Sequence, residues 1–202
     1  MQKKQSKAQI VINYLKKNNI IRAKELDALK IPRVYLSRLC KKGILERTDR
    51  GIYVLKNYDV TENHTIAQVA KKIPNGIICL LTSLRFHELT TQNPHQVWIA
   101  IDRKKWKPIN TDFPVHIVRY SKDALTEGIQ NHIIEGVDVK IYNPAKTVAD
   151  CFKYRNKIGL EVALEALNDC RRENKCTNDE LWYYAKICRV SNVMRPYMEA
   201  IG

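Results

Sequence analysis

The sequence predicts an α+β protein in two parts: a helix–helix–helix–hairpin unit over residues 1–58, then a mixed α+β domain over residues 61–202 with a small central sheet and terminal helices. Three observations lead there. Apolar residues recur at helical spacing in three short segments before Gly43, then alternate in two short runs on either side of Gly51. The stretch KNYDVT, 56–61, is polar and aperiodic and separates the parts. Beyond it, strand-like runs in the middle give way to longer helical periods after Pro144.

The first helix is read over 6–18, SKAQIVINYLKKN. Ser6 is placed to cap it, Ile10, Val11, Tyr14 and Leu15 share a face, and Asn18-Asn19 ends it. RAKELDALK, 22–30, is read as a second helix with Ala23, Leu26 and either Leu29 or Ala28 inward. KIP turns the chain, and Pro32 suits a first helical turn, where its missing N–H costs nothing. The third helix is IPRVYLSRLCKKG, 31–43. At 100° per residue, Leu36, Leu39 and Cys40 fall on one side and Val34, Ser37, Arg38, Lys41 and Lys42 on the other, with Arg33 near the start and Gly43 as the C′ residue. Strands at 44–47 and 52–55 flank a turn at 48–51. Three helices and a hairpin in this order make the winged helix-turn-helix plan.

In the second part, Thr61 is read as the cap of ENHTIAQVAKKI, and Pro74-Asn75-Gly76 breaks the chain. IICLL is a short apolar run, and Thr82 is read as the cap of SLRFHEL. Strand-like runs cover 95–102 and 113–121, and 132–143 reads as a hairpin or two short strands around Gly136. Helices follow: PAKTVADCFKYRNKIG with Ala145, Val148, Ala149 and Phe152 inward, the amphipathic LEVALEALNDCRREN, TNDELWYYAKICRV with a cap-like start, and a short last helix bent at Pro196.

The net charge is +14, and residues 1–60 hold 15 Lys/Arg against 5 Asp/Glu, leaving +4 for the remainder. Concentrated positive charge attracts polyanions, nucleic acid first and anionic membrane surface second. No segment approaches the ~20 apolar residues of a membrane span, and the N-terminus lacks the features of a signal peptide, so a cytoplasmic protein is expected. The six cysteines show no CxxC pair. Cys170 and Cys176 are separated by charged residues, and free thiols are expected for a reducing cytosol. The five histidines form no HxxxH or HxH pair, so no metal site is expected, and no phosphate-loop motif is present. Ser83 and His87 lack an oriented third partner for nucleophilic chemistry.

Arg33, Ser37, Arg38, Lys41 and Lys42 are the first choice for DNA contact. The N-terminal half of a recognition helix meets base edges, where Arg pairs with guanine, while the later lysines meet phosphates. A solvated basic face used for protein contact is the plain alternative. Arg50, with Arg47 and Thr48, would bring a cation and a hydroxyl to an adjacent groove or the backbone, Asp49 shaping the turn. Arg22 and Lys24 sit at the start of the second helix, whose N-terminus can hold a phosphate. Tyr35 reads as packing. WIAIDRKKWKP places Lys104, Lys105 and Lys107 among Trp98 and Trp106, either a second basic surface for nucleic acid or a basic loop after a buried strand. Asp138 and Lys140 match the carboxylate-x-lysine of metal-dependent nucleases, with Asp112 or Asp123 as the missing carboxylate. An ordinary exposed strand face explains them equally. A ligand-sensing transcription factor is a further alternative.

Residues 23–55, AKELDALKIPRVYLSRLCKKGILERTDRGIYVL, resemble the N-terminal winged helix of AbiEi-type antitoxins of type IV toxin–antitoxin systems. LTSLRFHELTTQNPHQVWIAID, 81–102, and YNPAKTVADCFKYRNKIGLEVALEAL, 142–167, resemble the C-terminal region of the same family. The resemblance implies a repressor that binds repeats in its own promoter. Two copies are expected on double-stranded DNA, because one winged helix covers few base pairs. It also implies an antitoxin whose second domain opposes a nucleotidyltransferase toxin of the AbiEii type, without implying direct contact. The DNA-reading positions carry over to Arg33, Ser37, Arg38, Lys41 and Lys42, with Arg50 in the wing. The apolar spacing of PAKTVADCF says core, and Lys146 and Asp150, four apart, are expected as a surface pair of little weight. No catalytic set and no cofactor carry over, so a non-enzymatic protein is expected.

Overall fold

The computed structural model describes residues 5–57, 61–105 and 113–201. The chain forms two compact units. The first contains the chain up to Pro74 together with His132–Val139; the second contains the strands and helices from Asn75 to Asn131 and from Lys140 onward.

The first unit opens with helix α1 (Lys7–Asn18), whose N-cap Ser6 accepts the Gln9 N–H at 3.2 Å. Strand β1 (Ile20–Arg22) follows, then a single turn of helix, α2 (Glu25–Ala28), and helix α3 (Val34–Lys41). Strands β2 (Leu45–Asp49) and β3 (Ile52–Leu55) complete an antiparallel sheet of order β1-β3-β2. Gly51 takes φ 81° in the tight loop, and Gly43 takes φ 69° where α3 ends, both conformations that glycine adopts without a Cβ clash. Val11, Leu15, Ile21, Leu26, Leu36, Leu39 and Leu45 are buried together as the core.

Two expectations are corrected here. The second helix does not span RAKELDALK: Ile20–Arg22 pairs with Ile52–Val54, because two β-branched residues gain a ladder beside a buried strand, and the helix shrinks to four residues. The first unit also does not end at residue 58. Helix α4 (His64–Lys72) packs on β1 and β3. Its Lys71 pairs with Glu25 at 2.7 Å, and Lys72 donates to the Arg50 carbonyl at 2.7 Å. Lys72 also meets the buried Asp49 carboxylate at 2.9 Å, as an ion contact rather than an aligned hydrogen bond. Thr61 does not cap α4; its N–H and hydroxyl donate to Glu135, at 2.9 and 2.8 Å. The other Glu135 oxygen meets His64 Nδ1 at 2.7 Å. Next to it, Gly136 (φ 73°) is required sterically, since a Cβ there would lie 2.5 Å from Asn18 Cα. A polar, aperiodic linker in sequence is thus followed by a helix that belongs with what precedes it.

A five-stranded sheet has the order β6-β5-β4-β8-β7, its β7–β8 hairpin tip (His132–Val139) being counted with the first unit. Its strands are β4 (Ile77–Ile78), β5 (Val97–Asp102), β6 (Val115–Tyr120), β7 (Ile129–Ile134) and β8 (Val137–Tyr142). β5 runs parallel to β6 and antiparallel to β4, and β4 runs parallel to β8. Helix α5 (Leu80–Phe86) starts before Thr82, whose hydroxyl instead accepts the Trp98 N–H at 2.9 Å and so ties helix to strand. The short α6 (Asp123–Thr126) is not foreshadowed by periodicity. Helices α7 (Pro144–Ile158), α8 (Leu160–Arg172), α9 (Asn178–Cys188) and α10 (Ser191–Ile201) follow. Asn143 caps α7 by accepting the Lys146 N–H at 2.8 Å, with Pro144 in the first turn, and Thr177 with Glu180 forms a full capping box on α9. α7 is central: Val148, Ala149, Cys151 and Phe152 are completely buried, and α5, α8 and α9 pack on it.

That centrality overturns the surface reading of Lys146 and Asp150, which are 0% and 2% exposed and pair at 2.6 Å. The expectation of free thiols also fails at one place. Cys170 and Cys176 are joined as a disulfide, where the chain leaving α8 turns back and the Lys175 N–H reaches the Cys170 carbonyl at 2.8 Å. No helix among the described residues is long and apolar enough to cross a membrane.

Candidate nucleic-acid interface

Helix α3 divides cleanly. Leu36 and Leu39, 1% and 3% exposed, enter the first unit's core, and Ser37, Arg38, Lys41 and Lys42 face solvent with Val34. The 100° spacing of an amphipathic helix forces this division: with Leu36 and Leu39 inward and Cys40 beside them, Ser37, Arg38 and Lys41 fall on the opposite side. Among the described residues, no carboxylate pairs with Arg38, Lys41 or Lys42, so their charges are available. Arg38 lies over the Tyr35 ring, 5.5 Å from its centroid, which orients the guanidinium while Tyr35 stays half-buried against the core.

The other expected residues divide into three groups. Arg33, exposed at the start of α3, forms a two-pronged pair with Asp27, whose carboxyl is held below its ordinary range chiefly by the hydrogen bond from Arg33. Both side chains are open to solvent, so the pair is screened and exchangeable. Lys24 and Arg50 are exposed, Arg50 at the hairpin tip with its N–H donated to the Asp49 carboxylate, as expected of a turn-shaping Asp. Arg22 and Thr48 are less suited than the sequence suggests. Arg22 lies half-buried in β1, its N–H donated to Glu25 at 2.8 Å, and α2 is too short to offer an anion site at its start. The Thr48 hydroxyl has no accessible surface and cannot reach a phosphate. Arg47, exposed on β2, is anchored by its Nε to the Asp49 carbonyl at 3.2 Å and adds a further cation near the turn.

In the second unit, Lys104 and Lys105 are exposed, whereas Lys107 and Trp106 lie outside the described residues. Trp98 is packed against the core and stacks on His116 with ring centroids 3.8 Å apart, so it serves the fold rather than base stacking. Asp138 and Lys140 share the outward face of β8, as alternation requires. Asp123 opens α6, Asp112 lies outside the described residues, and among the described residues no three His, Cys, Asp or Glu side chains converge on a metal position.

The geometry defines a class first: a small module of helices and a hairpin that buries one face of a helix and leaves the opposite, cationic face in solvent. Residues 9–56, α1 through β3 and under a quarter of the chain, match the family model of AbiEi antitoxin transcriptional regulators. No curated protein matches the chain. The match is confined to the segment that carries the α3 face, and its similarity to antitoxin transcriptional regulators supports a DNA-binding role.

Proposed function

We propose that this protein is a cytoplasmic, non-enzymatic DNA-binding antitoxin of a type IV toxin–antitoxin system, which represses its own operon and counteracts a nucleotidyltransferase toxin of the AbiEii type. The first unit acts as a winged helix-turn-helix, with α3 as the recognition helix in the major groove and β2–β3 as the wing. Arg38 and Ser37 read base edges, and Arg33 joins them by exchanging Asp27 for a base or a phosphate. Lys41 and Lys42 grip phosphates, with Lys24 and Arg50 as flanking contacts. Two copies occupy inverted repeats in the promoter. The antitoxin function falls to the second unit, and direct contact with the toxin is no part of this reading.

The observation that carries the proposal is the unpaired cationic face of α3, inside the segment matching the antitoxin regulators. The test is binding of the full chain to its own promoter fragment by fluorescence anisotropy. Arg38→Ala is expected to weaken the preferred repeat by about 1–3 kcal/mol and to relax base preference. Undiminished promoter binding by the Arg33/Arg38/Lys41 triple alanine variant refutes the role given to α3. Co-expression with the adjacent gene tests the second half: rescue of growth must survive that triple substitution if the two roles reside in different units.

A further inference from the structure

The second unit holds a cleft of about 510 Å³ that promoter binding does not use. We propose that it binds a small phosphate-bearing ligand of nucleotide size. Five cations line it: Arg119, Lys122, Lys153, Lys186 and Arg189. All five are exposed, and among the described residues none is paired with a carboxylate. Two acids share the lining, Asp123 at the start of α6 and Asp150. The charge of Asp150 is matched by Lys146 behind it, at 2.6 Å. The cleft therefore carries an uncompensated positive charge in a concave setting, where low-dielectric walls focus the field on an anion.

The site also shows signs of construction. Arg119 is fixed before any ligand arrives, because its Nη1 donates to the carbonyls of Arg103 and Lys105, at 2.8 and 3.0 Å. A pre-placed guanidinium loses little freedom on meeting a phosphate and can offer its remaining donors in a planar fork. Tyr154, half-buried in the same lining, gives an aromatic surface against which a planar ring can lie. The volume lies within the roughly 300–1,000 Å³ of small-molecule pockets, larger than a lone phosphate needs and fit for a nucleotide.

This inference rests on the second unit and stands or falls separately from promoter binding. Calorimetric titration of the full chain with ATP, inorganic pyrophosphate and a 5′-phosphorylated single-stranded oligonucleotide tests it. One saturable ATP site is expected, competed by pyrophosphate. It should weaken about tenfold or more in Lys153→Glu/Lys186→Glu, two exposed positions whose change leaves the fold intact, and be nearly unchanged in Arg195→Glu, an exposed cation outside the cleft. No saturable ATP binding up to about 1 mM overturns the proposal. So does an equal loss in Arg195→Glu, which would mean general charge attraction. Binding of the oligonucleotide alone overturns it too, by assigning the cations to a nucleic-acid backbone.

Discussion

The sequence pair Lys146-x-x-x-Asp150 illustrates how far a residue's chemistry depends on its surroundings. On an exposed helix, such a pair contributes a few tenths of a kcal/mol. Here α7 is enclosed on all sides through Phe152, so both charges leave water. Burial pushes the Asp150 carboxyl up from its ordinary range, and Lys146 at 2.6 Å opposes that shift. The remaining valences are filled locally. The Cys188 thiol donates to Asp150 at 3.1 Å, and the Lys146 ammonium lies over the rings of Tyr142 and Tyr120, 4.2 and 4.9 Å from their centroids. Removing one partner strands the other. Lys146→Met and Asp150→Leu should each lower stability by about 3–5 kcal/mol, while the double variant should cost much less than their sum, as urea denaturation of the three variants will measure. Additive losses would mean that the two charges are not coupled. The sequence does not signal this burial, because Lys146, Thr147 and Asp150 fall within one 100° arc of the helix, the pattern an exposed polar stripe would show.

At the scale of elements, what can be read from one chain is what periodicity and caps encode locally. α1, α3, the β2–β3 hairpin and α7 to α9 have such signals: Ser6, Gly43, Gly51, Pro144 and the Thr177 capping box mark their ends. β1 has none, because three residues cannot show a period and its partner β3 lies about thirty positions away. The parallel pairing of β5 with β6 is likewise invisible to local pattern. The attachment of α4 depends on Glu135, more than seventy residues later in the chain. Burial would push that carboxyl up, since its side chain is 1% exposed, but hydrogen bonds from His64 and from the Thr61 N–H and hydroxyl draw it below its ordinary value. A carboxylate whose folded pKa is depressed stabilises the fold above its unfolded value, about 4.3, and loses that contribution as pH falls through the folded pKa. Glu135→Gln should therefore destabilise the protein by about 1–3 kcal/mol at pH 7. The gap from the parent chain should close as pH drops below about 4. A gap that persists unchanged at low pH, in thermal melts across that range, would show that the carboxylate's charge is not what holds α4.

For the whole molecule, the decisive feature is how charge is shared between two units with separate cores. Val11 to Leu45 form one core and Ile77 to Met198 the other. The first 60 residues carry a balance of +10 out of +14, yet the second unit still gathers five unpaired cations around one cleft. If the division of labour is as proposed, these two positive regions answer to different anions, and salt tells them apart. Each phosphate neutralised on duplex DNA releases counterions, so about six contacts by the first unit give a log–log salt slope near −5. Lys41→Ala and Lys42→Ala should each make that slope shallower by about one, at little cost in sequence preference. Lys153→Glu/Lys186→Glu should leave it where it was, although the net charge falls by four in that variant, because counterion release counts contacts and not total charge. A slope that flattens as much for the second-unit variant as for the α3 lysines would mean that the DNA runs over both positive regions, and the cleft would then be part of one continuous track.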